Sequence, residues 1–206
     1  GKTAWDAPLE MTSAEKAEWY RRGYQAFEKD NLSLGSYAFL WGNKMEATPT
    51  WFGMLLPDGS RLAAADTMSE LWTGKPPANR APAIRKLSVD AAEVEPGATV
   101  TATLDASDAE GDALKVEWVL LGEAGSYYFD GRAESDLSRF KDAIVSANAK
   151  GAKVTMPKDP GAYRLYVYVR DGKGGAATAN IPLLVKGERS TPKTAAAKLP
   201  FAVYDE

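Results

Sequence analysis

Apolar and polar positions alternate along the second half of the chain and cluster at helical spacing along the first. From Ala83 on, six segments carry period-two patterning: 84–89, 98–104, 114–121, 153–156, 163–170 and 176–185. Pro-Gly, Glu-Gly-Asp and Asp-Gly turns separate them, and together they predict short antiparallel strands. Tyr163, Leu165, Val167 and Val169 fall on one face of a strand, and Trp118 is a natural core residue of a two-layered β-sandwich. Residues 122–150 interrupt this pattern as an insertion, with a short helix expected near 135–146. Upstream, Thr12-Ser13-Ala14-Glu15 is a capping box, and Ala17, Tyr20, Tyr24 and Phe27 then recur at helical spacing until Asp30-Asn31. A second helix is predicted over 62–73, with Leu62, Ala65, Met68 and Trp72 on one face and Gly74 as its stop. Pro76, Pro77 and Pro82 mark a linker.

Between the helices lies Gly35-Ser36-Tyr37-Ala38-Phe39-Leu40-Trp41-Gly42, a continuous apolar run bounded by Gly. A run of this length and aromatic content reads as a strand buried on both faces, as in a parallel sheet. Such a strand needs neighbours for its backbone N–H and C=O groups, and one strand with two helices in residues 1–78 does not supply them. The N-terminal part is therefore expected to be an incomplete fold.

Composition narrows the chemistry. The chain has 206 residues, 45% hydrophobic and 26% charged, with a formal charge of -3 spread throughout. These values are those of a globular protein without a basic stripe, so nucleic acid is not an expected partner. No apolar run reaches the length of a membrane span and no signal peptide is seen; a start at Gly1 is expected of a processed or truncated chain. Cys and His are both absent. That excludes disulfides, thiolate metal sites and every His-dependent triad or zinc centre, and leaves carboxylates, Lys or Tyr for any catalysis.

GSYAFLWG, followed by KMEATPTWFG and LWTGKPPANRAP, resembles the last strand and helix of the barrel in glycoside hydrolases of the family 2 type. DASDAEGDALKVEW and YRLYVYVRDGKGGAATANIPLLV resemble bacterial Ig-like modules of the PKD and cadherin-like kind. The fold class expected is thus α+β overall: a partial (β/α)-barrel segment, helix-strand-helix, over 1–78, then an Ig-like antiparallel β-sandwich over 79–186. An extended tail follows over 187–206, whose Leu199, Pro200, Phe201, Val203 and Tyr204 could dock on a surface. The resemblance implies the C-terminal portion of a secreted carbohydrate-active enzyme, periplasmic or extracellular in a bacterium. Carbohydrate is the implied ligand, and the remaining barrel as a separate chain is an implied partner. The alternative is a non-enzymatic structural, adhesive or carbohydrate-binding Ig-like module.

Retaining hydrolysis of a glycoside needs two carboxylates about 5–5.5 Å apart. The resemblance puts them on barrel strands that this sequence does not contain, so no catalytic residue is assigned. In the loop after the apolar run, Glu46 is the only carboxylate. Trp41 is the candidate sugar platform, since a flat apolar ring stacks on the C–H face of a pyranose while polar groups hold its hydroxyls. Trp51, Asn43, Lys44 and Glu46 are further substrate-binding candidates; the bland alternatives are core packing for both Trp and a loop-fixing ion pair for Lys44 and Glu46. No cofactor is required. The acidic set Asp105, Asp108, Glu110 and Asp112, with Asp171 ending a later strand, is a candidate Ca²⁺ site, although Asp and Gly are ordinary turn residues too.

Overall fold

The computed structural model describes residues 1–124 and 137–188. The alternating segments form the expected sandwich. One sheet has the order β4 (Glu93–Val94), β10 (Ala176–Val185), β9 (Gly161–Arg170), β6 (Lys115–Gly122). The other has the order β3 (Ala83–Val89), β5 (Thr99–Ser107), β8 (Gly151–Thr155), β7 (Ile144–Asn148). All pairings are antiparallel except that of β4 with β10. Leu165, Val167 and Val169 of β9 meet Val100, Ala102 and Leu104 of β5 and Val154 of β8 in one core, as period-two patterning requires. Trp118 is buried among them and donates its indole N–H to Asn148 O.

One strand appears where the sequence predicts a helix. Within 135–146 the described residues hold a single 3₁₀ turn, Lys141–Ala143, and then β7. As an edge strand with solvent on one side, β7 buries too little to show a clear alternation, while its turn is held by Asn148 Oδ1, which accepts the N–H groups of Lys150 and Gly151. Ser135 and the expected docking tail from 189 on lie outside the described residues.

Both N-terminal helices form. Helix α1 (Ser13–Lys29) begins at the capping box, with Thr12 and Glu15 each capping the other's backbone N–H. Helix α2 (Ala63–Thr73) ends at Gly74, whose φ of 72° is the left-handed stop that glycine takes without strain. The two pack through Tyr20 and Tyr24 against Ala64, Ala65 and Met68, a small core that also holds Met54. Phe27 and Trp72, expected on the buried faces, are instead exposed.

The run 35–42 is not a strand, which corrects the sequence reading. Among the described residues no strand pairs with it, and Leu34 and Tyr37 are fully exposed. Its backbone is held at its start by the Ser33 hydroxyl, which meets Gly35 N–H and O, and at its end, where Leu40 O and Gly42 O accept the N–H groups of Met54 and Leu55 and Phe39 O accepts the Tyr20 hydroxyl. A parallel strand without neighbours cannot satisfy its ladder, and the segment instead lies along the helical core, with Ala38 packed on it, Phe39 edge-on to Phe52 and Tyr37 in solvent. The residues after it are no loop either: β1 (Asn43–Glu46) and β2 (Thr48–Gly53) form a hairpin through Ala47. Among the described residues no barrel segment is seen.

The N-terminal elements instead cover the outer face of the β10-β9-β6 sheet. Val119, Leu121 and Tyr166 point away from the sandwich core and form their own cluster there, and Leu56 and Leu62 pack on Ala176. Arg164 is fully buried, donating to Glu123, to Asn180 Oδ1 and to Pro8 O. Asn180 in turn donates to Glu10, which takes the Thr48 hydroxyl and pairs with Lys16. Ser13 Oγ accepts Thr178 N–H. The central strands are thereby buried on both faces, which explains why β9 reads as nearly continuous hydrophobic sequence.

Candidate functional site

At the junction of cap and sandwich, a cleft of about 510 Å³ opens between α2, the linker after it and the β9–β10 turn. Trp41 and Trp72 line it, 67% and 56% exposed. Its volume falls in the range of small-molecule sites.

Fixed hydrogen bonds build its polar wall. Arg61 donates from Nε to Asp66 Oδ1 at 3.1 Å and from Nη2 to Asn79 O at 3.1 Å. The other Asp66 oxygen accepts Ala81 N–H at 2.6 Å, so α2 holds the linker directly. Asn79 Nδ2 reaches Asp171 Oδ2 at 2.8 Å, and Asp171 Oδ1 accepts the N–H groups of Lys173 and Gly175 at 2.6 and 2.9 Å. Burial pushes the Asp171 carboxyl up, but these hydrogen bonds and nearby Arg61 outweigh it and hold the group below the usual carboxylate range. Only glycine fits at 175, because a Cβ there would stand 2.3 Å from Asp171 Oδ2. The turn that carries Lys173 into the cleft is thus locked.

Of the residues singled out in the sequence, this cleft collects Trp41 alone. Asn43 donates to Pro49 O at 3.2 Å and lines a separate groove of about 580 Å³ between the hairpin and the outer sheet face, beside Met45, Tyr168 and Arg170. Burial raises the Tyr168 phenol to about 12, so that groove presents a neutral ring. Lys44 and Glu46 form an ion pair, with Lys44 Nζ 6.0 Å from the Phe39 ring, and Trp51 lies partly buried in β2. Sequence reasoning missed Trp72, Arg61, Asp66, Asn79 and Lys173. Trp72 carried a signal, an aromatic on the last turn before a Gly-Lys-Pro-Pro stop, but the others become neighbours only through the fold.

The Ca²⁺ expectation gains no support. Among the described residues no group of three or more acidic side chains is gathered as for a metal. Asp108 Oδ1 accepts the N–H groups of Glu110 and Asp112, Glu110 pairs with Arg80, and both Asp171 oxygens are taken. Asp108 Oδ2 is a buried oxygen without a partner, but the about six to eight oxygens that Ca²⁺ takes are not gathered around it among the described residues.

Two sheets of this order and pairing, capped by two helices, make the chain an α+β protein built on an Ig-like β-sandwich. Among solved structures, it is similar to the PKD domain of an M14-like peptidase from Thermoplasmatales archaeon SCGC AB-540-F20, at 16% identity over 53% of this chain and 100% of that one, with a TM-score of 0.33. It is also similar to the PKD1 domain of Vibrio anguillarum Epp, at 17% identity over 53% of this chain and 99% of that one, TM-score 0.29. A DUF4784 family protein from Bacteroides caccae ATCC 43185 matches 53% of this chain with 25% of its own length, at 16% identity and a TM-score of 0.27. No family model and no curated protein matches the chain, so the resemblance to family 2 glycoside hydrolases gains no support from these comparisons. No described helix is long and apolar enough to cross a membrane.

Proposed function

We propose that the chain is a non-catalytic accessory module, an Ig-like sandwich whose helical cap holds carbohydrate in the Trp41–Trp72 cleft, in a periplasmic or extracellular bacterial setting. The observation that carries this reading is the pair of exposed Trp rings on one cleft whose polar wall is already pinned by internal hydrogen bonds. Exposed aromatic rings beside fixed polar groups bind pyranoses by stacking and hydroxyl contacts, at little cost in ordering. The experiment is calorimetric titration of the full chain with neutral and acidic oligosaccharides, repeated with Trp41→Ala and Trp72→Ala. Binding weakened by both substitutions supports the reading, and affinity indifferent to both removes it.

A second reading is favoured by the apolar flank formed by Trp19, Phe27, Leu32, Leu34, Tyr37 and Phe39, all exposed. Contiguous apolar surface of this kind is a feature of interaction sites. In this reading the chain is the C-terminal portion of a carbohydrate-active enzyme, and a polypeptide carrying the rest of a barrel covers the flank. Co-expression with such a polypeptide, followed by size-exclusion chromatography, distinguishes the two readings.

A further inference from the structure

We infer that the Trp41–Trp72 cleft selects an acidic glycan, one whose sugar carries a carboxylate, an inference that rests on the carbohydrate reading above. The polar atoms of the cleft divide into those held by internal bonds and those open to a ligand. Asp66 has one oxygen taken by Arg61 Nε and the other by Ala81 N–H. Asp171, behind the wall, has both oxygens taken by Asn79, Lys173 N–H and Gly175 N–H. Both residues are buried, at 8% and 3% exposure, so neither carboxylate turns much acceptor surface toward a sugar hydroxyl. Thr73 Oγ is engaged as well, its one proton within reach of Ser69 O at 2.8 Å and Lys75 O at 3.1 Å while its oxygen accepts Lys75 N–H at 3.3 Å.

What remains is mostly donors. Lys173 is exposed and makes no ion pair among the described residues. Arg61 uses Nε and Nη2 internally and leaves Nη1 close to Gly174, the residue next to Lys173. Asn79 Oδ1 is the one amide acceptor left in the wall, and Ser69 Oγ can act either way. The charged side chains lining the cleft are Arg61, Asp66 and Lys173; Asp66 and, behind the wall, Asp171 are buried close to Arg61, so Lys173 is the exposed cation at the mouth. A neutral sugar presents hydroxyls that need acceptors as well as donors, and finds the carboxylates buried and Asn79 Oδ1 and Ser69 Oγ as the side-chain acceptors that remain. A uronate presents a carboxylate to a Lys and a partly free guanidinium, while its ring face still meets the Trp side chains. Bonds to an ionised acceptor are the stronger kind, and the ring stacking is common to both ligands, so the carboxylate is what discriminates.

The test compares oligomers of galacturonate, mannuronate and guluronate with their methyl esters, which keep the sugar skeleton and remove the charge. Titration calorimetry on the full chain is expected to show at least one acid form binding about tenfold tighter than its ester, the difference made by a charge-assisted hydrogen bond. That difference should shrink as salt rises, because the cation is exposed. Lys173→Gln should bring acid and ester to the same affinity, whereas Trp41→Ala should weaken both. Equal affinity of acid and ester in every series, with binding still lost in Trp41→Ala, overturns the acidic-glycan inference and leaves the carbohydrate reading standing. Absence of binding by every acid, every ester and neutral gluco-oligosaccharides overturns the carbohydrate reading and this inference with it. A preference for the acid that survives Lys173→Gln in this cleft also counts against the inference, since the charge would then be read elsewhere.

Discussion

Arg164 shows how much a single residue can commit to one arrangement. Its guanidinium is 0% exposed and saturated by Glu123, Asn180 and the Pro8 carbonyl. Replacing it by Met leaves the Glu123 carboxylate buried without its guanidinium, and we expect a loss of about 3–5 kcal/mol in denaturant melts. The double variant Arg164→Met/Glu123→Met should recover much of that loss, since well-packed apolar pairs often match a buried ion pair. Trp41 is the opposite case, mostly in solvent, so Trp41→Ala should change stability by less than about 0.5 kcal/mol. Sugar affinity should fall by about 1–3 kcal/mol, a figure taken from aromatic stacking platforms for bases. A large loss of stability without a loss of affinity would make Trp41 a packing residue. Asp171 predicts a pH dependence. With its folded pKa below the ordinary value, it stabilises the fold above the unfolded carboxylate range, and that contribution is lost as pH falls through the folded value. Asp171→Asn should therefore be less stable than the parent at neutral pH, with the gap closing on acidification in parallel thermal melts.

Helix α1 was legible to the residue in its capping box, because Thr12 and Glu15 satisfy backbone donors three positions apart and need no tertiary help. Thr12→Ala is expected to cost about 1 kcal/mol, read from a chemical melt. The strands of the sandwich were legible from alternation wherever one face is buried and the other wet. The run 35–42 was not, since apolar composition signals burial and cannot say whether a partner strand exists. At this scale the division into 1–78 and 79–186 is a proposal that can be tested. A chain of residues 79–186 should unfold cooperatively, as it keeps the whole inter-sheet core, and a chain of residues 1–78 should not. The sandwich alone should be less stable than the full chain, because Val119, Leu121, Tyr166 and the Arg164 network lose their cover. Equal stability would mean that the cap contributes nothing to the sandwich.

For the molecule as a whole, the described carboxylates bear on catalysis. Glu46 is ion-paired with Lys44, and Asp66 and Asp171 are buried and engaged in structural bonds. We expect the purified chain to hydrolyse no glycoside across a panel of aryl glycosides and oligosaccharides; turnover abolished by Glu46→Gln would overturn this. The exposed flank predicts self-association that rises with concentration in sedimentation, relieved by Leu34→Ser and Tyr37→Ser without a lower melting temperature. By itself the sequence determined what local physics controls: both helices and their ends, six of the strands, the inward face of β9, Trp118 in the core and the exclusion of thiol and imidazole chemistry. These follow from spacing and from residue types present or absent, which no fold can alter. Only the tertiary structure decided that the N-terminal segments lie against the outer face of a sheet, that the apolar run forms no strand, and that Trp41 shares a cleft with Trp72 and Lys173. Those outcomes depend on contacts between residues as far apart as Pro8 and Arg164 or Asn79 and Asp171, and such contacts leave no period along the chain.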